Sequence, residues 1–497
     1  MALLGIDVGT THTKVGVFDV EGGALAHFQA PTPRKTSPAG YVHFPPEALW
    51  RQTAGLVRRA VAGAGGKVAA LAVASMGEAG VTLDAAGKPT YPIIPWNDNR
   101  TAAQMTALTG KLEPPEWFRI TGLFPNPIYS IAKWLWLEEH APEAWRITRR
   151  WLSVTGYIRY RLTGVAVMEA SQAARTMAFD VRSGEWSREL LELAGLTADF
   201  LPPIVSACQQ VGEVSPEAAA LTGLPAGTPV FAGGHDHICA ALACGAFTSE
   251  VALDSLGTAE ALTLGLPTPP NPEGSGGFGT GPHVIAGHSY LMGGIYSSGG
   301  ALAWLRKTLG FEDFEALREA AATTEAGTAP LFIARFHGAA PPFNDPAANG
   351  AFVELRPEHT PAHLARAVYE GIACEIRAGI EALEHLTGRP VQLIRMVGGS
   401  AGDPFWSKIR ASVLGRPLEV AHHPDMVTAG AALVAGLGAG LYKDPQDAVA
   451  RTYRAARTFH PTSPDASTTA YEQLYRHYRR AAEALAGYRG DSYREER

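Results

Sequence analysis

The chain carries the same short pattern twice, once at its start and once near its middle. Residues 7–11 read Asp-Val-Gly-Thr-Thr, and residues 254–258 read Asp-Ser-Leu-Gly-Thr. Each pattern joins an apolar run to an acid, a glycine and a hydroxyl residue, a combination suited to a turn that approaches phosphate closely. The repetition predicts two similar halves that face one nucleotide, and it favours phosphoryl transfer.

The first pattern is flanked by apolar residues that predict a strand on each side, over residues 3–6 and 15–18. Gly9 permits the tight bend between the two strands. The segment lacks the residue spacing of a Walker loop. An ordinary β-hairpin with a polar turn is the alternative interpretation of the same residues.

Four side chains of this first turn suit an anionic ligand and its metal ion. The hydroxyls of Thr10 and Thr11 and the ammonium group of Lys14 can contact phosphate oxygens. Asp7 stands at the end of the predicted strand. Its carboxylate can hold Mg²⁺ through water there, because Mg²⁺ keeps much of its hydration.

Length and composition limit the classes of protein to which the chain can belong. At 497 residues, 46% of them hydrophobic and 18% charged, it predicts two globular domains. A net charge of −6 favours neither nucleic acid nor an anionic membrane as a partner. We expect no membrane span and no signal peptide. The four cysteines lack metal-ligand spacing and are expected as small core residues in a reducing cytoplasm.

Segments with strand and helix character alternate through both halves, which predicts an α/β fold with mixed sheets. The predicted strands cover 68–75, 229–234, 251–256, 259–264 and 391–397. The predicted helices cover 46–62, 130–140, 237–245, 361–386 and 427–438, and a further helix follows Gly300. We place the domain boundary near Ala246, giving domains 1–246 and 247–497, and we expect the charged residues 490–497 to fray.

Asp236 is the sharpest candidate for catalysis, because it follows an apolar strand and precedes a predicted helix. A carboxylate there can accept a proton from an alcohol that attacks a γ-phosphate. The alternative is an aspartate that only caps the helix. The flanking His235 and His237 also raise the possibility of a zinc site, although a third ligand at useful spacing is not evident.

A second group of polar residues follows two strand-like runs of the first half. Glu78, Asn97 and Asp98 offer hydrogen-bonding groups for sugar hydroxyls, and Trp96 offers a ring face for a carbohydrate C–H surface. Alternatively, Trp96 is a core aromatic residue and Asp98 a solvated turn residue.

A third group consists of glycine turns in the second half. Gly257-Thr258, Gly299-Gly300 and Gly398-Gly399 lie at predicted strand ends or helix starts. Backbone amides at such places can contact anionic phosphates, so we expect these turns to bind the nucleotide.

Taken in order, these segments resemble the FGGY carbohydrate kinases of the actin-like ATPase group, and the resemblance spans nearly the whole chain. The motifs that carry it are listed here in chain order: Asp7-Val-Gly-Thr-Thr, Glu78, Trp96-Asn-Asp-Asn-Arg-Thr, Ala170-Ser-Gln-Ala-Ala-Arg-Thr-Met-Ala-Phe-Asp, Gly234-His-Asp, Leu256-Gly-Thr, Asn344-Asp-Pro-Ala-Ala-Asn-Gly, Val397-Gly-Gly-Ser-Ala-Gly-Asp-Pro-Phe-Trp and Gly415-Arg-Pro.

The resemblance implies two actin-like (ribonuclease H-like) domains with ATP and a sugar in the cleft between them. It implies Asp236 as the general base and Asp7 near Mg²⁺. With the residues already named, we expect Gly9, Thr10, Thr11, Lys14, Gly257, Thr258, Gly299, Gly300, Gly399 and Asp403 to face the nucleotide. We expect Glu78, Trp96, Asn97, Asp98 and His237 to contact the sugar.

Departures from the known subgroups bear on the substrate. Glycerol kinases carry Arg-Glu where this chain has Gly77-Glu78, and their tyrosine before Ser/Thr-Lys is displaced by one position, at Tyr129. The Trp-Asn-Asp motif is closer to xylulokinases, which nevertheless have histidine where this chain has Glu78. His237 follows the base where Asn or Gln is usual, and Asp403 stands where Asn is common.

We therefore expect an ATP-dependent kinase for a pentulose or hexulose, with a small-molecule sugar as its partner and a homodimer as the assembly to consider. A polyol kinase, a non-catalytic sugar sensor and an actin-like ATPase or chaperone are the alternatives. His235 and His237 can tune the base, contact a hydroxyl or be structural.

Overall fold

The computed structural model describes residues 1–423, 425–462 and 466–486, so the fraying predicted for residues 490–497 lies outside the described residues. Within them, each half of the chain builds one large mixed sheet. The first sheet contains β1 (Ala2–Val8), β2 (His12–Asp19), β3 (Ala24–Pro31), β4 (Ala70–Ser75), β5 (Gln210–Glu213) and β6 (Pro229–His235). The second contains β7 (Val251–Leu256), β8 (Glu260–Leu266), β9 (Gly279–Pro282), β10 (Ser289–Ile295), β11 (Leu393–Val397), β12 (Leu418–Ala421) and β13 (Ala455–Phe459).

The two sheets share a common core topology. The strand order is β5-β6-β4-β1-β2-β3 in the first and β9-β10-β8-β7-β11-β12-β13 in the second. In each, an initial hairpin pairs antiparallel, and its first strand then pairs parallel to a later strand, β1 with β4 and β7 with β11. The two similar halves predicted from the repeated pattern are therefore present.

Helices and small sheets surround these two sheets. The helices are α1 (Pro46–Gly63), α2 (Ala102–Thr109), α3 (Pro114–Thr121), α4 (Ser130–His140), α5 (Pro142–Ile147), α6 (Val154–Thr163), α7 (Ala170–Ala174), α8 (Arg188–Leu193), α9 (Pro216–Thr222), α10 (Asp236–Ala243), α11 (Gly299–Leu309), α12 (Phe314–Ala322), α13 (Pro361–Thr387), α14 (Pro404–Leu414), α15 (Met426–Gly438), α16 (Pro445–Thr452) and α17 (Ala466–Ala486). Short strands pair Lys35–Thr36 with Val42–His43, Gly80–Leu83 with Arg150–Ser153, Met168–Glu169 with Ile204–Val205, Phe179–Asp180 with Glu185–Trp186, and Leu331–Ile333 with Ala351–Val353.

Strand β1 is central because both of its faces are buried. Alternate side chains point to opposite sides of a strand, so Leu4, Ile6 and Val8 join the core that contains α1. Leu3 joins a different core, formed with α10 and α15. The register pairs Asp7 with Lys14 across the β1–β2 hairpin, which brings the acid and the cation of the turn to one end of the sheet.

Helix α15 comes from near the end of the chain and yet packs on the first sheet. The contact is possible because glycines remove the side chains between the two backbones. A Cβ on Gly5 would lie 1.9 Å from the carbonyl oxygen of Thr428 in α15. A Cβ on Gly430 would lie 1.9 Å from the carbonyl oxygen of Cys239 in α10. The small residues of α15 predicted a helix that lies against a sheet. In the structure they allow its backbone to contact neighbouring backbone directly.

Several predicted elements match the structure closely. Helix α4 and strand β7 have the predicted bounds, while the strands predicted from 68 and from 391 begin two residues later, at Ala70 and Leu393. The helix predicted from 237 begins one residue earlier, at Asp236. The domain boundary near Ala246 stays a prediction.

The cysteines behave as expected in the structure. All four thiols are free, with Cys239, Cys244 and Cys374 buried and Cys208 partly buried. Among the described residues, no helix combines the length and the apolar character needed to cross a membrane.

The glycine contact at α15 makes a testable prediction about stability. Replacing Gly430 by Ala forces a Cβ onto the Cys239 carbonyl, and overpacking of this kind costs about 1–3 kcal/mol or more in the free energy of unfolding. Gly55 provides the matched control, because it is exposed in the middle of α1 and no atom lies within 4 Å of its added Cβ. Gly55→Ala should stabilise the protein by about 0.5–1 kcal/mol. Urea unfolding of both variants measures the difference, and equal stabilities would contradict the packing described here.

Candidate active site

The first sheet gathers several of the predicted site residues at one edge. Strands β1 and β6 both run parallel to β4, with Asp7 opposite Ala74 and His235 opposite Ser75. Because the carboxyl ends of parallel strands meet at the same edge, Asp7 and Asp236 are brought close together there. The amide of Gln172 ties this edge together by donating to the carbonyl oxygens of Ser75, at 3.0 Å, and Gly234, at 3.2 Å.

Asp236 is the first residue of α10, and its carboxylate is placed to act as a base. His235 occupies the N-cap position, so Asp236 is the first helical residue rather than the cap itself. Its Oδ1 accepts a hydrogen bond of 2.7 Å from the His237 backbone N–H and lies 3.2 Å from His235 Nε2. Burial raises the pKa of Asp236 to about 7, although 22% of the side chain stays exposed. A carboxylate with such a pKa, reachable from the cleft, is suited to take a proton near neutral pH.

Asp7 and Lys14 form an ion pair at the phosphate turn. Lys14 Nζ lies 3.2 Å from Asp7 Oδ2 and 3.7 Å from Oδ1 of Asp425, which caps α15. Burial raises the pKa of Asp7, and the nearby carboxylates of Asp425 and Asp236 act in the same direction against Lys14. Sequence analysis missed Asp425, because its proximity to Lys14 depends on the packing of α15.

The other oxygen of Asp7 fits a hydrated cation. Asp7 Oδ1 is buried and has no hydrogen-bond partner among the described residues. The described residues contain no group of three or more His, Cys, Asp or Glu that could hold a metal ion. The zinc interpretation of His235 and His237 therefore gains no support.

The phosphate turn is joined to the predicted sugar loop by one hydrogen bond. Trp96 Nε1 donates to Thr10 Oγ1 at 2.7 Å, while the Gly9 N–H donates to the His12 carbonyl at 3.1 Å. The indole of Trp96 is 37% exposed, so its interpretation as a core residue is wrong. Thr11 and Asn97 are exposed on the two loops.

Glu78 is held in an unusual backbone conformation. Its φ of 58° lies in the left-handed region, which a residue with a side chain rarely adopts. Its carbonyl oxygen accepts hydrogen bonds from Ser130 Oγ at 3.0 Å and from Lys133 Nζ at 2.9 Å. Lys133 Nζ also donates to the Pro95 carbonyl at 2.9 Å, just before Trp96. The buried amino group of Lys133 therefore fixes both loops that were predicted to contact the sugar, and burial lowers its pKa to about 7.

Arg175 was quoted in a family motif but was not assigned to the site. Its Nε donates to Glu78 Oε1 at 2.6 Å, and its guanidinium lies 5.4 Å from the ring centre of Tyr129. The only sequence signal for this contact was the arginine within the motif at 170–180, because 97 residues separate Arg175 from Glu78.

Both carboxylate oxygens of Asp98 accept hydrogen bonds from Arg100. Its Oδ1 accepts from Arg100 Nε at 2.8 Å, and its Oδ2 accepts from Arg100 Nη2 at 2.6 Å. The Arg100 guanidinium also lies 4.0 Å from the ring centre of Tyr41. Asp98 is thus not a freely solvated turn residue, and it contributes to the shape of the loop that presents Trp96.

The glycine turns of the second half differ from the expectation that their backbone amides are available for phosphate. The amide of Gly299 donates to the Gly257 carbonyl at 3.1 Å, that of Gly300 to the Thr258 carbonyl at 3.0 Å, and that of Gly257 to the Ala259 carbonyl at 3.0 Å. These three amides are therefore not free to bind phosphate. The tight packing needs the glycines, since a Cβ on Gly299 would lie 2.7 Å from the Gly257 oxygen.

The remaining nucleotide candidates differ in their surroundings. An added Cβ on Gly399 meets no atom within 4 Å, so this turn borders open space. Asp403 caps α14, with its Oδ1 accepting from the Phe405 and Trp406 amides at 2.8 and 3.2 Å. Asp254 of the repeated pattern is fully buried and pairs with Arg410 at 2.7 Å, which indicates a structural role.

This geometry can be compared with known proteins. Residues 2–243 match the N-terminal domain model of the FGGY family of carbohydrate kinases, and residues 254–439 match its C-terminal domain model. The chain belongs to the FGGY family of carbohydrate kinases. It is a phosphotransferase of that family, with the two-domain actin-like fold that the sequence predicted.

Relatives of this kinase include two kinds of sugar kinase. It is 30% identical over 447 residues to a xylulose kinase of Escherichia coli (strain K12), covering 88% of this chain and 90% of the relative. It is 29% identical over 493 residues to a glycerol kinase of Myxococcus xanthus (strain DK1622), covering 93% and 96%. The crystal structure of xylulose kinase from Rhodospirillum rubrum superposes with a TM-score of 0.89 at 28% identity, covering 98% and 99%.

Lys133 makes a testable prediction about the sugar loops. In Lys133→Met the Pro95 carbonyl loses the Lys133 donor while the Glu78 carbonyl keeps the hydroxyl donor of Ser130, and leaving a buried polar group unsatisfied costs about 1–3 kcal/mol. We expect the KM for the sugar to rise about tenfold or more while the KM for ATP stays within about twofold. The reason is that Lys133 donates to the two loops predicted to contact the sugar, at the carbonyl oxygens of Glu78 and Pro95. Steady-state kinetics measures both constants, with Lys133→Arg as the variant that keeps the donors. A rise in both KM values by the same factor would argue against a local clamp.

Proposed function

We propose that this kinase transfers the γ-phosphoryl group of ATP to a hydroxyl group of a ketose, with a pentulose as the first candidate. The observation that carries the proposal is the position of Asp236, which lies between the Asp7–Lys14 phosphate turn and the loops that present Glu78 and Trp96. The xylulose kinases among its relatives support a pentulose. The glycerol kinases among them leave a polyol as the second candidate.

The residues divide the reaction between them. Asp236 takes the proton of the acceptor hydroxyl as that oxygen attacks the γ-phosphorus in line with the leaving group. Thr10, Thr11 and Lys14 face the phosphates, with Thr258 on the opposite wall, and Gly399 and Asp403 border the adenosine. Asp7 would hold Mg²⁺ through water, and the bound ion supplies charge neutralisation on the phosphates.

The sugar contacts follow from the loops described above. We assign Glu78, Trp96 and Asn97 to direct contact with the acceptor, His237 to its edge beside the base, and Asp98 to the support of the loop. A cytoplasmic location and a homodimeric assembly remain part of the proposal.

A panel of acceptors tests the proposed reaction. ADP release in the presence of pentuloses, hexuloses, glycerol and other polyols should be fastest with a ketose. Faster turnover of glycerol or another polyol would favour the second candidate. Sugar binding by calorimetry without ADP release would identify a sensor, and ADP release at the same rate with and without any sugar would identify an ATPase.

Asp236→Asn should reduce kcat by about 10²–10⁴-fold, because general base catalysis contributes a factor of that size. Asp313→Asn is the matched control, since Asp313 is an exposed cap of α12 and lies outside the site. That variant should retain the activity of the unmodified enzyme. Full activity in Asp236→Asn would remove this residue from the mechanism.

The pH dependence of the unmodified enzyme provides an independent test. The base must be ionised to accept a proton, so activity is lost as the pH falls through the pKa of Asp236, at about 7. We expect kcat/KM for the sugar to rise with pH around that value and to level off above it. A midpoint near the ordinary aspartate value, about 4, would contradict the buried environment described for Asp236.

A further inference from the structure

A buried ion pair lies beside the proposed base at the sugar end of the site. The Nε and Nη2 groups of Arg175 both contact one oxygen of Glu78, Oε1. Only 12% of the Arg175 side chain and 5% of the Glu78 side chain are exposed. Burial alone would lower the pKa of the Arg175 guanidinium. The negative charge of Glu78 acts in the opposite direction, and the pKa is raised. The guanidinium therefore carries its charge, and the pair is nearly isolated from solvent.

Both partners are fixed from behind. The Glu78 backbone is clamped by Ser130 and Lys133, so its carboxylate has little freedom to turn away. Arg175 immediately follows α7, the short helix whose Gln172 binds the ends of β4 and β6. The Tyr129 ring lies along the guanidinium at 5.4 Å. Removing either charge leaves the other in place rather than allowing it to swing into solvent.

Gly77 leaves the space beside Glu78 that Arg175 occupies. A Cβ on Gly77 would lie 3.1 Å from Arg175 Cγ and 3.1 Å from the Cδ2 atom of His235. The space next to Glu78 is thus filled by Arg175 and His235, and a larger residue at position 77 would displace them. This chain has Gly77 where glycerol kinases carry an arginine, and Arg175 brings a guanidinium to Glu78 from a distant segment.

The other groups around the pair add little charge. Burial lowers the pKa of both His235 and His237, so their rings are neutral near pH 7. Burial raises the pKa of Tyr129 and Tyr290, so their hydroxyls are also neutral. Lys133 turns its N–H groups to two carbonyl oxygens. Among the described residues, Glu78 is the carboxylate that pairs directly with Arg175, while the nearby Asp236 interacts with it electrostatically.

We propose that the Glu78–Arg175 pair determines the charge of the acceptor that the kinase accepts. While Glu78 neutralises Arg175, the site takes an uncharged sugar and excludes a sugar acid. Without that carboxylate, the buried guanidinium is free to bind the carboxylate of an aldonate, for which its planar donors are well suited. This inference rests on the proposed sugar kinase activity and adds the class of acceptor to it.

The test compares two acceptors in two variants. The acceptors are the best neutral sugar and an aldonate with the same number of carbon atoms, and kcat/KM is measured for each. In Glu78→Gln we expect at least about a tenfold loss with the neutral sugar and a gain with the aldonate, so that the ratio of the two falls at least about 100-fold. The double variant Glu78→Gln with Arg175→Gln lacks both charges, and it should lose the gain with the aldonate.

Three outcomes would overturn the proposal: an unchanged ratio in Glu78→Gln, an aldonate gain that persists in the double variant, or strong competitive inhibition of the unmodified enzyme by the aldonate. The inhibition measurement needs no substitution, so it decides the question even where a variant fails to fold. ATP binding by calorimetry checks that each variant is intact. Failure of the unmodified enzyme to phosphorylate any sugar would refute the proposed function instead, and it is seen in the same assay before any variant is used.

Discussion

The direct contact of helix α15 with the first sheet is the constraint on which the site depends. Gly5 lets the backbones of β1 and α15 touch without a side chain between them, Gly430 does the same for α15 and α10, and together these contacts bring the start of α15 to the end of β1. The cap of that helix, Asp425, then lies beside Lys14 and accepts a contact of 3.1 Å from His27. A residue from near the end of the chain thereby helps to hold the cation of the first turn. The two halves are coupled at the point where phosphates are expected.

Burial gives the site its chemical character. Asp7 and Asp236 are carboxylates whose pKa values are raised because water is excluded from them and other acids are near. At the end of the site proposed for the sugar, the buried carboxylate of Glu78 is instead paired with a positive charge, that of Arg175. Hydrogen-bonded loops enclose this pair. A carboxylate that gains and loses its proton near neutral pH and a buried pair of opposite charges are both products of the same low-dielectric edge of the sheet.

The sequence was sufficient for features that depend on local patterns. The bounds of α4 and β7, the turn at Asp7 and the position of Asp236 after an apolar strand all follow from residues that are neighbours in the chain. Arg175, Lys133 and Asp425 could not be assigned in this way, because each meets its partner only after distant segments have packed together. The amides of Gly299 and Gly300 were predicted to bind a ligand. In the structure they instead donate to the carbonyl oxygens of Gly257 and Thr258 in the facing turn. The family motif contained Arg175, but only the structure showed which carboxylate it meets.

The hydrogen bond between Trp96 and Thr10 has a consequence for how the two substrates share the site. A threonine hydroxyl that accepts one hydrogen bond still has its own proton to give. In the structure that proton is directed to the sulfur of Met76 at 3.8 Å, a weak acceptor that a phosphate oxygen can replace. A single oxygen atom is therefore shared by the first turn and the loop that carries Trp96. If a phosphate oxygen replaced that sulfur, as the proposed function requires, the hydroxyl would become more strongly polarised, and so would the bond that positions the Trp96 indole.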